Sequence, residues 1–349
     1  MCRRSSEVRS LPLSEWPAAH RAAWDEACRP AIRLKPGGSG SHLGPVSQKD
    51  IANRYGAFLG SLQRRGVLDL LSPAAGQVTP AEVSLYTEEL KARVRSFTAW
   101  NAIYKLRRAA ELMNPEGDFC WLREIENDLA LLAEPKSKLD RLVLAERLVE
   151  AGLTLVAEAR KSAKSVFEQA KDVRNGLLIA LLAACPIRIK NFAELEIGRT
   201  LKQVDGCWWI TLPASSTKSH RIDERRFPNY LSKIIEFYLT QARPHLIGSK
   251  PSSNWLWISA RTGGRFTTKN LGTLISKITL QTVGVDVSPH LFRTAAATSA
   301  ALYGGNTPHL ASGVLGHTDP PLTHKHYNRA SSVNAAKAYA DIVRQYQSD

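Results

Sequence analysis

The chain has 349 residues, more than one typical domain, and 44% hydrophobic and 23% charged residues exclude a wholly disordered, collagen-like or coiled-coil protein. Its 47 Lys and Arg outnumber 32 Asp and Glu, and this net charge of +15 points to an anionic partner, nucleic acid first and an anionic membrane surface second. No apolar run approaches the roughly 20 residues of a membrane span. No apolar stretch follows the basic N-terminus as it would in a signal peptide. The five cysteines are scattered, without a CxxC pair, so neither a disulfide framework nor a zinc site is expected and a reducing cytoplasm fits.

Residues 1–46 read as an N-terminal extension, with one short helix over 16–28 and a Gly/Ser/Pro-rich stretch at 34–45 that has the composition of a flexible linker. Residues 47–132 read as a small all-α domain. Ser47 with Asp50 resembles a capping box, and Ile51, Tyr55, Phe58, Leu59 and Leu62 then recur at helical spacing. Thr79-Pro80-Ala81-Glu82 is a helix start: a capping hydroxyl, Pro at the first helical position, and an acid two residues on. A third helix over about 98–113 carries Trp100, Ile103, Tyr104, Leu106 and Ala110 together with Lys105, Arg107 and Arg108, the candidate major-groove contacts.

Residues 133–142 contain Pro and charges and read as a linker. The block 143–349 is mostly helical around an apolar run at 177–187, which reads as a buried helix. Residues 207–212 and 221–227 read as a strand pair flanking a polar turn at 213–220, and 255–258 as another short strand before Gly263-Gly264. The fold class is therefore mostly α with a small antiparallel β-sheet.

The loops of nucleoside-triphosphate enzymes, the HExxH of metalloproteases and the GxSxG of hydrolases are all absent from the sequence. No cysteine or paired carboxylate joins His317, His324 and His326, so no metal and no cofactor is expected. What stands out is a set of cationic and imidazole residues. Pro186-Ile187-Arg188 ends the apolar run, and an arginine at the edge of such a core is expected to have a partner. Pro289-His290-Leu291-Phe292-Arg293 opens an apolar helix that Gly304-Gly305 would end, with His290 and Arg293 on one face. Leu315-Gly316-His317 follows, and Tyr327 lies ten residues beyond His317.

The ordered combination of Arg188, Lys218 in a β-turn, His290-Leu291-Phe292-Arg293, Leu315-Gly316-His317 and Tyr327 resembles the tyrosine recombinase (phage integrase) family. The resemblance implies an all-α core-binding domain over 47–132 and a catalytic domain over 143–349. It implies that Arg188 and Arg293 clamp the scissile phosphate, that Lys218 is the hairpin lysine, that His290 and His317 flank the phosphate, and that Tyr327 is the nucleophile. It further implies double-stranded DNA as partner, a DNA-bound homotetramer, accessory DNA-bending or directionality proteins, and a cytoplasmic, nucleoid-associated location. A helix over about 332–346 would pack on its own domain or dock onto a neighbour. Many members carry an acid three positions after the first arginine, where this chain has Asn191; Glu194 and Glu196 are the candidate substitutes. A type IB topoisomerase-like or hairpin-forming enzyme and an inactive DNA-binding regulator of the same fold are the alternatives.

The chemistry agrees with this resemblance. Two planar guanidinium forks match a phosphodiester's non-bridging oxygens, and adjacent cations favour the phenolate of a tyrosine that is otherwise a weak nucleophile at neutral pH. A covalent phosphotyrosine stores the bond energy, so resealing requires no ATP. Two domains closing on a duplex would put the +15 charge to use, with phosphate contacts dominating affinity.

Overall fold

The computed structural model describes residues 10–134, 139–217, 219–250, 253–303 and 310–315. The chain forms two units, Met1–Lys136 and Ser137–Asp349. The first holds helices α1 (Ala18–Ala27), α2 (Pro45–Arg64), α3 (Pro80–Arg93), α4 (Ser96–Met113) and α5 (Cys120–Leu131). Local chemistry sets their ends: Pro45 and Pro80 sit in first turns, and the Thr79 hydroxyl accepts from the Glu82 amide at 3.3 Å.

The N-terminal extension is part of this unit. Leu11, Trp16, Trp24 and Ala27 are buried in the same core as Tyr55, Phe58, Tyr86 and Leu106. Trp16 meets Tyr55 edge-on at 4.9 Å between ring centroids, and its indole N–H donates to the Leu11 carbonyl. The stretch that reads as a linker instead makes hydrogen-bonded turns against α1, with the Gly38 amide on the Arg29 carbonyl and the Gly40 amide on the Ala27 carbonyl. A Cβ on Gly38 would lie 2.0 Å from the Glu26 carbonyl oxygen. The glycine is therefore a close-approach residue rather than a flexible one.

The second unit is built on α6 (Ala145–Lys161) and α7 (Val166–Ala184), followed by α8 (Ile189–Ala193) and strands β1 (Leu201–Val204), β2 (Cys207–Leu212) and β3 (Asp223–Arg226). Then come α9 (Asn229–Phe237), a π-turn (Tyr238–Ala242), α10 (Arg243–Ile247), α11 (Thr268–Val283), α12 (Pro289–Tyr303) and α13 (Leu310–Leu315). From Gly176 to Ala183, α7 is continuously buried, as its apolar run demands. It crosses α6 so closely that backbone touches backbone: a Cβ on Gly176 would lie 2.5 Å from the Gly152 carbonyl oxygen.

The sheet is antiparallel in the order β1-β2-β3. In its register Ile210 faces Leu201 and Arg225, and Leu212 faces Asp223. Leu201, Ile210 and Leu212 turn into the core, and the period of two puts Asp223 and Arg225 on that same face. Two readings differ from the structure. β1 has no counterpart among the expected strands. Residues 255–258 make only isolated bridges, Trp255 with Glu196 and Ile258 with Arg265, because Leu256, Trp257 and Ile258 are all buried and make a core segment instead of an alternating strand.

The α6–α7 contact has a measurable consequence. Gly176→Ala should lower the stability of the second unit by about 2 kcal/mol, since backbone atoms rather than flexible side chains would have to give way. Urea unfolding followed by tryptophan fluorescence checks this.

Candidate active site

The end of α7 sets the site. Pro186 cannot continue the helix, and the buried Ile187 anchors the turn, so Arg188 emerges half-buried at the start of α8. Its side chain makes no hydrogen bond or ion pair among the described residues, where the sequence led us to expect a partner. The candidate substitutes for an acid at 191 are engaged elsewhere: Glu194 lies 3.9 Å from Arg265, and Glu196 pairs with Arg199. Asn191 itself is buried.

On α12, Leu291 and Phe292 are buried anchors that turn Arg293 inward, where it is 9% exposed. One terminal nitrogen donates to the Pro186 carbonyl, two residues before Arg188, and the other to the Leu315 carbonyl at 2.8 Å. Arg293 thus joins the end of α7 to the end of α13. Burial, and then the guanidiniums of Arg188 and Arg225, push its pKa down to about 10, against the opposing Asp223 carboxylate. Three guanidiniums and one carboxylate therefore act on one another, a place where an added anion relieves repulsion. His290, one turn earlier on α12, is exposed, and it shares a groove with Ile189, the residue after Arg188. Cys185 adjoins the cluster, and burial pushes its thiol up to about 11.

Arg225 and Asp223 are the residues that sequence reasoning missed. Arg225 donates from Nε and Nη2 to the two Asp223 carboxylate oxygens at 2.8 and 2.9 Å, and from Nη1 to the Val314 carbonyl at 2.6 Å. A signal was present: residues 223, 225 and 227 share one strand face, and two charges in phase with a buried Phe227 mark a charged pair on a core face.

Lys218, His317 and Tyr327 lie outside the described residues, as does the expected helix over 332–346. Their described neighbours are anchored. The Thr217 hydroxyl donates to the Arg221 carbonyl at 2.7 Å and accepts from the Arg221 amide at 3.1 Å. Leu315, two residues before His317, is held by Arg293.

The basic residues of α4 do not form an open cationic face. Lys105 pairs with Asp50 on α2 at 2.6 Å, and Arg108 lies 3.2 Å from Glu111. Arg107 is buried, 2.6 Å from Glu126 on α5 and 2.5 Å from Glu111. Its helical phase matches Ile103 and Ala110, which are core positions. Among the described residues no group of three or more His, Cys, Asp or Glu side chains gathers as metal ligands, and no helix is long and apolar enough to cross a membrane.

Residues 153–333, just over half of the chain, match the model of the phage integrase family. The chain belongs to this family. Among solved structures it is similar to the XerH site-specific recombinase bound to difH substrate, a pre-cleavage complex. The identity is 15%, the match covers 93% of this chain and 99% of that one, and the TM-score is 0.56. It is also similar to the Tn1549 transposon integrase in complex with transposon right end DNA, at 15% identity over 86% of this chain and 96% of that one, with a TM-score of 0.54. At these identities the likeness is one of fold: a mostly helical chain with one small antiparallel sheet, as in tyrosine recombinase structures. No curated protein sequence matches the chain.

The α4 arginine Arg107 has a stability signature. Arg107→Ala should cost about 3 kcal/mol, because it strands the Glu126 carboxylate in a half-dry site. A surface DNA contact would leave stability unchanged. Thermal denaturation of the two proteins separates these outcomes.

Proposed function

We propose that this chain is a site-specific DNA recombinase that cleaves and rejoins strands through a covalent 3′-phosphotyrosine, without metal or ATP. The observation that carries the reading is the buried Arg293 in a mutually repelling cluster with Arg188 and Arg225, in a chain of the phage integrase family. Such a cluster is preorganised for an anion that gains charge during the reaction.

In this reading Arg188 and Arg293 hold the non-bridging oxygens of the scissile phosphate, and His290 and His317 flank it. One imidazole accepts the phenol proton of Tyr327 as the phenolate oxygen attacks phosphorus. The bond from phosphorus to the 5′-oxygen breaks, and Lys218 protonates the leaving oxygen. Attack by a 5′-hydroxyl on the phosphotyrosine reverses these steps and releases Tyr327. The partner is double-stranded DNA, bound by a homotetramer with accessory DNA-bending or directionality proteins.

The test uses nicked suicide duplexes drawn from DNA flanking the gene. Wild-type chain should form a denaturant-resistant protein–DNA adduct. Tyr327→Phe should form none while its DNA affinity stays within about twofold, because only a hydroxyl is lost. Binding without an adduct favours an inactive regulator, and relaxation of supercoiled DNA lacking any recognition site favours a topoisomerase-like enzyme.

The arginine fork makes a separate prediction. Arg188→Ala and Arg293→Ala should each slow adduct formation by about 10²-fold or more, as expected for loss of one transition-state donor. Arg188→Lys and Arg293→Lys should rescue poorly, since a point charge cannot supply two parallel donors. Single-turnover cleavage rates decide, and a near-wild-type rate in either lysine variant removes the bidentate role.

A further inference from the structure

The Asp223–Arg225 pair stands beside the proposed phosphate site but differs from Arg188 in one respect. The Arg188 side chain makes no hydrogen bond or ion pair among the described residues, whereas all three Arg225 nitrogens are engaged by the protein itself. Two of them form a parallel fork on Asp223. The third reaches the Val314 carbonyl, next to the Leu315 carbonyl that accepts from Arg293. Val314 and Leu315 are consecutive residues of α13. Two arginines from different elements, β3 and α12, therefore hold consecutive carbonyls of one helix. The pair is mostly shielded, with the Arg225 side chain 13% and the Asp223 side chain 30% exposed.

We propose that Arg225, oriented by Asp223, is a positioning residue. It fixes the end of α13 against β3 and thereby sets the place of the Arg293 guanidinium, without touching DNA.

Geometry supports this in two ways. Arg293 is held at Pro186 on one side and at Leu315 on the other. The Pro186 end is fixed by the continuously buried α7, whereas Leu315 packs in a small separate cluster with Ala297 and Ala300, where a further tie to the sheet fixes its place. Arg225 is such a tie, and it is charge-assisted at both of its contacts. Charge supports it too. Three guanidiniums against one carboxylate leave two positive charges, which match the dianion formed when a phenolate adds to a phosphodiester.

The inference rests on the recombinase reading, and the experiment separates the two. Wild type, Arg225→Ala, Arg225→Lys and Asp223→Asn are compared on the nicked suicide duplex for single-turnover adduct formation, and for DNA affinity at two salt concentrations. Arg225→Ala should slow cleavage at saturating DNA by about 30-fold, in the range for a displaced catalytic group, with affinity within about twofold and the salt slope unchanged. Arg225→Lys should be nearly as slow, because it keeps the charge but not the fork. Asp223→Asn should slow cleavage by about tenfold, since the fork loses its charge. Cleavage within threefold of wild type in Arg225→Ala, or in Arg225→Lys where the alanine variant does not fold, overturns the positioning role. A tenfold loss of affinity with a salt slope reduced by about one overturns it as well, because it makes Arg225 a phosphate contact. Absence of an adduct from the wild type overturns the recombinase reading and this inference together, whereas a wild-type adduct with fully active variants overturns this inference alone.

Discussion

A guanidinium buried with its charge is costly unless every donor has a role. Arg293 meets that constraint by holding two parts of the chain that are far apart in sequence, the turn after α7 and the end of α13. The surrounding architecture serves this contact. The dry α7 presents Pro186 at a fixed place, the Leu291-Phe292 anchor turns α12 inward, and β3 supplies the one carboxylate that tempers three like charges. The same arrangement leaves Arg188 at the rim, half-buried and without a hydrogen bond or ion pair among the described residues.

The first unit solves a different problem with similar means. Its core is aromatic, and the N-terminal segment closes one side through Trp16 and Trp24. Arg107 and Lys105 tie α4 to α5 and α2 by ion pairs, so part of the chain's positive charge is spent inside the unit. The net excess of +15 is therefore not a map of where an anion binds.

Much of this was legible in the sequence because it depends on local chemistry. Thr79-Pro80 announced α3, the apolar run announced α7, and the run 207–212 announced β2. The hydrogen bond of Arg293 to the turn before Arg188 was not legible in the sequence, since 107 residues separate the partners. The role of 34–45 was not legible. Gly and Ser permit a close backbone approach as well as flexibility, and only the carbonyls of α1 decide between the two. The burial of Arg107 was not legible from composition, because the composition of a helix says less than its phase. Asp223 and Arg225 were hidden because a charged strand reads as an exposed one until its register with β2 is known.

Cys185 sits at the meeting point of α7 and the arginine cluster. The Arg225 guanidinium acts to acidify this thiol, which would make it a target for peroxide, but burial outweighs it and pushes the pKa up to about 11, so the sulfur stays protonated at neutral pH. The thiol beside this arginine cluster is thus chemically quiet toward oxidants.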